Sequence, residues 1–411
     1  MPTGTRPFRT LPCLLAIAVL LAPKPASGMA GHTERTPQLT VRDSAGVIIV
    51  DNPRPAPGSR LGWRVSRVPS LSIGTREGDE PYLLYGVEDA TRLGGGRIAV
   101  ANSASGEIRV FAPDGTHLAS WGGIGEGPGE FAQWDPEAVS AWPGDSVIAA
   151  AWWRGRIEVF DAEGRHGRTA TLAEGRFSFA GLLPGGTIVA KPSLLIGIPF
   201  GAVDGTLTRR EEEFALVGSG GELHVSLGTH AGEEWFVSPS SPSARPHPFG
   251  RSVLAAVWGD RAIVTANDRY GVRAYSTDGT LARIVRRDHD LRTPTQAEVD
   301  NWVQDRYGDL PEERREQMLA QMEGITAVEH YPAFSAVQSD PHGYLWVREY
   351  NLPGQDRNLW TVFDPEGSVL GFVEMPFEAE VYEIGADYIL GGTEDEMGVE
   401  RVGLWALDRV R

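Results

Sequence analysis

Cysteine and lysine are almost absent from this chain. The one cysteine, Cys13, excludes an intrachain disulfide and any cysteine-built zinc or iron–sulfur centre. Lysine occurs only as Lys24 and Lys191, so arginine supplies nearly all the positive charge. Arginine suits bidentate recognition of carboxylate or phosphate, although a genome-wide base-composition bias is the simpler cause. Positive charge is itself short: 38 Lys+Arg against 55 Asp+Glu leaves a formal charge of −17. That balance argues against nucleic acid or an anionic membrane as a partner, because phosphate binding rests on cationic stripes. No apolar run reaches the length of a transmembrane helix. The nine histidines form neither an HExxH nor a His-x-His cluster, and no Gly-x-Ser-x-Gly elbow occurs.

What is present is enough for a large core. Of 411 residues, 41% are apolar and 9% aromatic, and the 50 glycines and 29 prolines point to many tight turns. Arg6 and Arg9 precede the apolar run Leu11 to Ala22, which has the length of a signal-peptide core and is bracketed by Pro12 and Pro23. Small residues follow, so residues 1–30 are expected to be a signal peptide cleaved near 28–30, with the protein exported to a periplasmic or extracellular space. Cys13 follows Pro12 at the start of the run, not a small residue at its end, so no lipid anchor is expected. Residues 31–60 mix Pro, Gly and charges around Val47-Ile-Ile-Val50 and read as an exposed lead-in with one short strand.

Beyond residue 60 the chain repeats. An apolar strand closing on a glycine turn recurs as Ile108-Arg-Val-Phe-Ala-Pro-Asp-Gly115, Ile157-Glu-Val-Phe-Asp-Ala-Glu-Gly164, Phe214-Ala-Leu-Val-Gly-Ser-Gly-Gly221, Val272-Arg-Ala-Tyr-Ser-Thr-Asp-Gly279 and Trp360-Thr-Val-Phe-Asp-Pro-Glu-Gly367. A sixth copy, Val402 to Asp408, has no glycine turn and no strand after it. Asp-Gly and Glu-Gly between alternating apolar runs are hairpin signals. Upstream of each copy lies a second hairpin, such as Gly94-Gly-Gly-Arg-Ile-Ala-Val100 or Pro184-Gly-Gly-Thr-Ile-Val189. Two hairpins per unit make four strands, the blade of a β-propeller. The turn glycines are 49, 57, 58 and 88 residues apart, near the ~40–50 residues of a blade plus insertions. The expectation is an all-β chain whose residues 61–411 form a six-bladed propeller, closed by an N-terminal strand within Trp63 to Gly74 that completes the truncated sixth unit.

The stretch Gly122-Gly-Ile-Gly-Glu-Gly-Pro-Gly-Glu-Phe131, followed by Pro136 and the hairpin at 143–148, resembles the linker and strand start of NHL-type repeats. From about Trp63 to Arg411 the chain resembles bacterial exported six-bladed propellers related to NHL and TolB-like folds. As a phosphate-cradling loop the stretch is poor: Pro128 lacks a donor and no helix follows.

The 88-residue interval holds an insertion, 286–333, between the fourth and fifth units. Thr293-Pro-Thr-Gln296 reads as a capping box, with Val299, Trp302, Val303 and Tyr307 on one helical face; a second helix begins at Asp309 to Glu312 and stops at Gly324. In a four-stranded blade the two hairpin turns emerge on one face, and the remaining connections on the other. The long segments 121–137, 230–250 and 286–333 thus collect on a single loop-bearing face, where the helical pair would act as a lid or an added wall. Aromatics and arginines gather there. The expected ligand-binding residues are Trp152, Trp153, Arg154, Asp268, Arg269, Tyr270, Arg348, Glu349 and Tyr350.

Some propellers of the resembled kind hold calcium or a catalytic metal in the channel, on Glu, Asn and Asp. By position Glu88, Asn102 and Glu137 are the weak candidates, with Asp89, Asp268 and Glu349 beside them. Calcium suits their oxygen chemistry. The second unit, however, offers Ala151 and Trp152 where the first has Asn102 and Ser103, so no metal or other cofactor is expected. The function expected is binding of a small molecule or an envelope protein at the loop-bearing face, without catalysis. The alternatives are a metal-dependent hydrolase or lactonase-like enzyme using the channel, and a structural module in an envelope complex.

Overall fold

The computed structural model describes residues 38–151, 155–193, 207–240, 244–355 and 358–409. Within them the chain runs through six antiparallel sheets in sequence order. Sheet I holds Val87–Arg92, Ile98–Asn102, Glu107–Phe111 and His117–Gly122; sheet II holds Ala138–Trp142, Ser146–Ala151, Arg156–Phe160 and His166–Thr171. Sheet III is Phe177–Leu182, Ile188–Pro192, Leu207–Val217, Leu223–Val237 and the short Ala244–Pro246. Sheet IV has Val253–Trp258, Arg261–Ala266, Gly271–Tyr275 and Leu281–Arg287, and sheet V has Phe334–Ser339, Leu345–Glu349, Leu359–Phe363 and Val369–Glu374. Sheet VI supplies three consecutive strands, Glu380–Ile384, Tyr388–Glu394 and Glu400–Asp408; Arg64–Val65 and Leu71–Ile73 pair with the last of them.

The strand sequences explain the layering. Second strands such as Ile98–Asn102 are continuous apolar runs buried on both sides, whereas the outer strand His117–Gly122 is largely half-exposed or exposed. Double burial requires a neighbour on each face, and six apolar cores provide it. Ile108, Phe131 and Phe160 join sheets I and II; Ile157, Phe177 and Ile188 join II and III; Phe214, Leu216 and Val264 join III and IV. Ile263, Phe334 and Leu345 join IV and V; Trp346, Trp360 and Trp405 join V and VI; Ile73, Phe111, Leu390 and Val402 join VI back to I. The series of sheet-to-sheet cores returns to its start, and the first strand of each sheet lies beside the first strand of the next. This is the arrangement of a β-propeller, with the first strands around the central channel.

The hairpin turns between third and fourth strands use one chemistry. Asp114, Asp278 and Asp364 each accept a hydrogen bond from the amide two or four residues on (Thr116, Thr280, Ser368; 2.7–2.9 Å), and the glycine after them has positive φ. At Gly221 (φ +96°) a Cβ would also collide with the Thr171 carbonyl of the preceding sheet.

Three local expectations are corrected. The segment before residue 60 carries two strands, not one: Thr40–Ser44 and Val47–Asn52 form a hairpin whose second strand pairs parallel with Leu281–Arg287. Residues 230–237 are not irregular but continue a 15-residue strand. The first helix, α1 (Gln296–Tyr307), is capped by Thr295, whose box partner is Glu298, so the cap lies two residues beyond Thr293. The second, α2 (Glu312–Gln321), ends before Gly324. The helices sit on a seventh apolar core, in which Val299, Val303 and Met322 meet Phe236, Phe249 and Tyr331, with Tyr350 and Leu352 at its margin.

Candidate functional site

At the loop-bearing face the first strands begin and the second strands end. Their terminal residues therefore ring the channel mouth. Among the described residues the acids there include Glu88, Glu137 and Glu380, and the cations include Lys191 and Arg348. Glu88 occupies a bulge, because Val87 and Asp89 pair with the adjacent residues Asn102 and Ala101. Burial raises the Glu88 carboxyl above the usual range; Ser103, donating at 3.3 Å, opposes this and Glu400 adds to it. Burial likewise raises Glu137, against the pull of Lys191 (3.7 Å) and of the Ser178 hydroxyl that donates to it, while Asp135 and Glu88 push it further up. Glu380 is raised by burial and by Glu88. Across from it, burial lowers the Arg348 guanidinium, which Glu380 and Glu378 partly support.

Between sheets III and IV the same face opens into a cavity of about 470 Å³. Its apolar walls are Pro192, Phe214, Trp235, Pro246, Val253 and Ala255; its polar groups are Lys191, Ser193, Glu212, Glu233 and Ser252. Lys191 thus belongs both to the mouth and to the cavity. Glu233 is placed by a bulge in which Gly232 and Glu233 together oppose the single residue Arg210. Burial, with Glu212 as a like-charged neighbour, pushes its carboxyl up to about 7. Glu212 is raised by burial too, against the Glu233 amide that donates to it at 3.3 Å. Two buried polar atoms of the lining, Ser193 Oγ and Trp235 Nε1, have no hydrogen-bond partner among the described residues. Buried donors in folded proteins are nearly always satisfied, so this pair is available to an acceptor.

The residues expected at the site are dispersed. Trp152, Trp153 and Arg154 lie outside the described residues. Arg348 stands at the mouth, and Arg269 is exposed on a groove beside sheet IV. Asp268 is occupied by Arg209 (2.6 Å). Tyr270 and Glu349 are not presented to solvent as a recognition pair. Tyr270 is 5% exposed and donates to Glu349 at 2.8 Å, and Glu349 receives both arms of the fully buried Arg287 at 2.8 and 2.9 Å. Tyr350 packs beside Tyr331 at the edge of the helical core. Of the metal candidates, Asn102 is 2% exposed and spends its amide on the Tyr85 N–H and on Ser105. Among the described residues no three His, Cys, Asp or Glu side chains converge as a metal site. The glycine-rich 122–131 stretch spends its amides internally, Gly125 to Phe131, Phe131 to Gly123 and Gly127 to Glu130, and buries Phe131 completely.

The missed residues are Ser193, Glu212 and Glu233. Glu212 and Glu233 lie in the runs Glu211-Glu-Glu213 and Glu233-Glu234, which look like solvated charge. Lys191 stands out in sequence only as the lone downstream lysine, whereas Trp235 is one of the aromatics of the 230–250 segment expected on the loop-bearing face.

No family model matches the chain, and no curated protein matches it. Solved structures do. A candidate exported protein of Bacteroides fragilis is 12% identical, with a TM-score of 0.50 over 88% of this chain and 100% of its own. A member of the DUF4221 family from Bacteroides vulgatus is 8% identical (TM-score 0.46; 85% and 99% covered), and virginiamycin B lyase from Staphylococcus aureus 9% (0.42; 84% and 100%). At such identities the likeness is one of fold. Among the described residues no helix is long and apolar enough to cross a membrane.

Proposed function

We propose that the chain is an exported six-bladed β-propeller of the NHL/TolB-like kind that binds a small molecule at the mouth of its channel, without catalysis. The strands at 64–73 close its ring, the helical pair is inserted between the fourth and fifth blades, and the first 30 residues are the signal peptide. The reading of the ring rests on the six sheets and on the pairing of Leu71–Ile73 with Val402–Leu404. The binding reading rests on one observation: the cavity between sheets III and IV leaves Ser193 Oγ and Trp235 Nε1 buried without partners among the described residues. Its volume lies within the roughly 300–1,000 Å³ of small-molecule sites, and its mix of apolar walls with a few polar groups is theirs too.

A thermal-shift screen of a chemically mixed small-molecule library tests it. A ligand whose stabilisation disappears in Trp235→Ala and persists in the turn variant Asp114→Ala supports the reading. Ligands insensitive to every substitution in the cavity, or a tight protein partner that those substitutions leave untouched, refute it.

A second reading has its own support. A carboxyl held near neutrality beside another acid and a lysine is the environment of an acid–base catalyst. Turnover in a panel of lactones, esters and glycosides, abolished by Glu233→Gln, would establish an enzyme in place of a binder; loss of that turnover with chelator would make it a metalloenzyme.

A further inference from the structure

We infer that the cavity between sheets III and IV takes a small organic ammonium compound with an apolar body and a carbonyl or hydroxyl oxygen. The inference rests on the reading of this face as a binding site and names the class of ligand. Three observations lead to it.

The carboxyls are short of cations. Among the described residues Glu233 has neither an ion-pair partner nor a hydrogen-bond donor, and Glu212 receives only the Glu233 amide and feels Arg209 through space without an ion pair; the lysine of the lining is drawn toward Glu137 instead. A buried, unpaired carboxyl is costly and is relieved by an opposite charge. The raised Glu233 carboxyl agrees with this geometry.

The cation must also be organic. Beyond the two acids, Lys191 and the hydroxyls of Ser193 and Ser252, the lining is Pro192, Phe214, Trp235, Pro246, Val253 and Ala255; it offers an inorganic ion too few side-chain oxygens for a full shell, and among the described residues no third acid or histidine converges here. Apolar and aromatic walls instead fit a hydrocarbon or aromatic body, and an ammonium near an indole gains cation–π attraction.

Finally, the unused donors require an acceptor. Ser193 is 1% exposed and its hydroxyl has no partner among the described residues; the Trp235 indole N–H is buried and has none among them either. A single oxygen on the ligand could satisfy one or both. A polyol would meet too few polar groups in this lining, and an anion would meet two acids.

Calorimetric titration of the intact protein tests the class. L-phenylalaninamide carries the ammonium, the carbonyl and the ring; tyramine and cyclohexylmethylamine vary the body and the acceptor. N-acetyl-L-phenylalaninamide removes the charge, 3-phenylpropanoate inverts it, and glucose represents the polyols. The expected result is binding of L-phenylalaninamide, weakened about tenfold or more by Glu233→Gln and severalfold by Trp235→Phe, with no measurable binding of the acetylated form. Glu233→Gln removes an uncompensated buried charge, so it is expected to fold, and an unlowered melting temperature checks this. If the neutral, anionic or sugar probe binds in a Trp235-dependent way and the amines do not, the ligand class is wrong and the binding reading stands. If no amine binds at 1 mM, the class is overturned. If, in addition, the library screen finds no ligand sensitive to Trp235→Ala, the binding reading falls with it.

Discussion

Replacing Glu349 by glutamine tests the part this residue plays at the joint between sheets IV and V. The Glu349 carboxylate receives Arg287 through both terminal nitrogens, the Tyr270 hydroxyl at 2.8 Å and the Thr361 hydroxyl at 2.7 Å. Arg287 has no exposed side-chain surface, Glu349 only 14%, and the guanidinium carbon lies 3.7 Å from the centre of the Tyr270 ring. Glutamine keeps the shape and one acceptor oxygen but leaves the guanidinium without a counter-charge. Breaking a buried pair from one side costs about 3–5 kcal/mol, and the retained acceptor places Glu349→Gln near the lower end. The double variant Arg287→Met/Glu349→Leu removes both charges and should recover much of that loss, since an apolar pair of similar volume often matches a buried ion pair. Urea unfolding followed by far-UV circular dichroism at pH 7 gives the three free energies. The surface pair Arg165–Asp161, with Arg165 75% exposed, is the control, and Asp161→Asn should be indistinguishable from wild type. A Glu349→Gln protein within about 1 kcal/mol of wild type, or a double variant less stable than the single, would refute the reasoning.

Further outcomes follow from the same geometry. Because the folded state holds the Glu233 proton up to about 7 against an ordinary 4.5, stability should fall as pH rises between those values; Glu233→Gln should flatten that decline by at most about 3 kcal/mol, read as the change in unfolding midpoint between pH 5 and pH 8. A residual decline of the same sign should persist, because burial also lifts Asp89 to about 8. Deleting residues 61–73 removes the strands paired with 402–408 and the buried Val65 and Ile73, so the chain should lose its cooperative transition or form oligomers on gel filtration; a monomer of unchanged stability contradicts closure. Gly221→Ala combines a left-handed φ with a collision at the Thr171 carbonyl and should cost roughly 2 kcal/mol or more by urea unfolding, whereas Gly185→Ala, also at positive φ but in open space, should cost less.

The strand order was readable because four of the six third strands end on an acid–glycine turn, and because strands buried on both faces leave unbroken apolar runs. The capping box was misplaced by two residues since Thr293 and Thr295 both satisfy the pattern. The structure uses Glu298, while Gln296 turns to Asp300 and the Ile325 carbonyl. The extension of the strand Leu223–Val237 was hidden by Gly228, Gly232 and the paired glutamates, which break the alternation that marks a strand. The site was legible only in part. Arg348 lies where position in the repeat puts it, but the burial of Tyr270 and Glu349 depends on Arg287 in a different strand. For Glu212 and Glu233, a run of acids carries no sign of whether it faces water or a cavity.

Two distant stretches of the chain meet in one sheet, with Ile73 opposite Val402. Some 330 residues of synthesis separate them, on the order of tens of seconds at ordinary elongation rates. Throughout that time a growing chain holds residues 64–73 without their partner strand, the condition that invites chaperones or unwanted pairing. A single break near residue 400 would therefore strand residues 64–73 as well as the last strand.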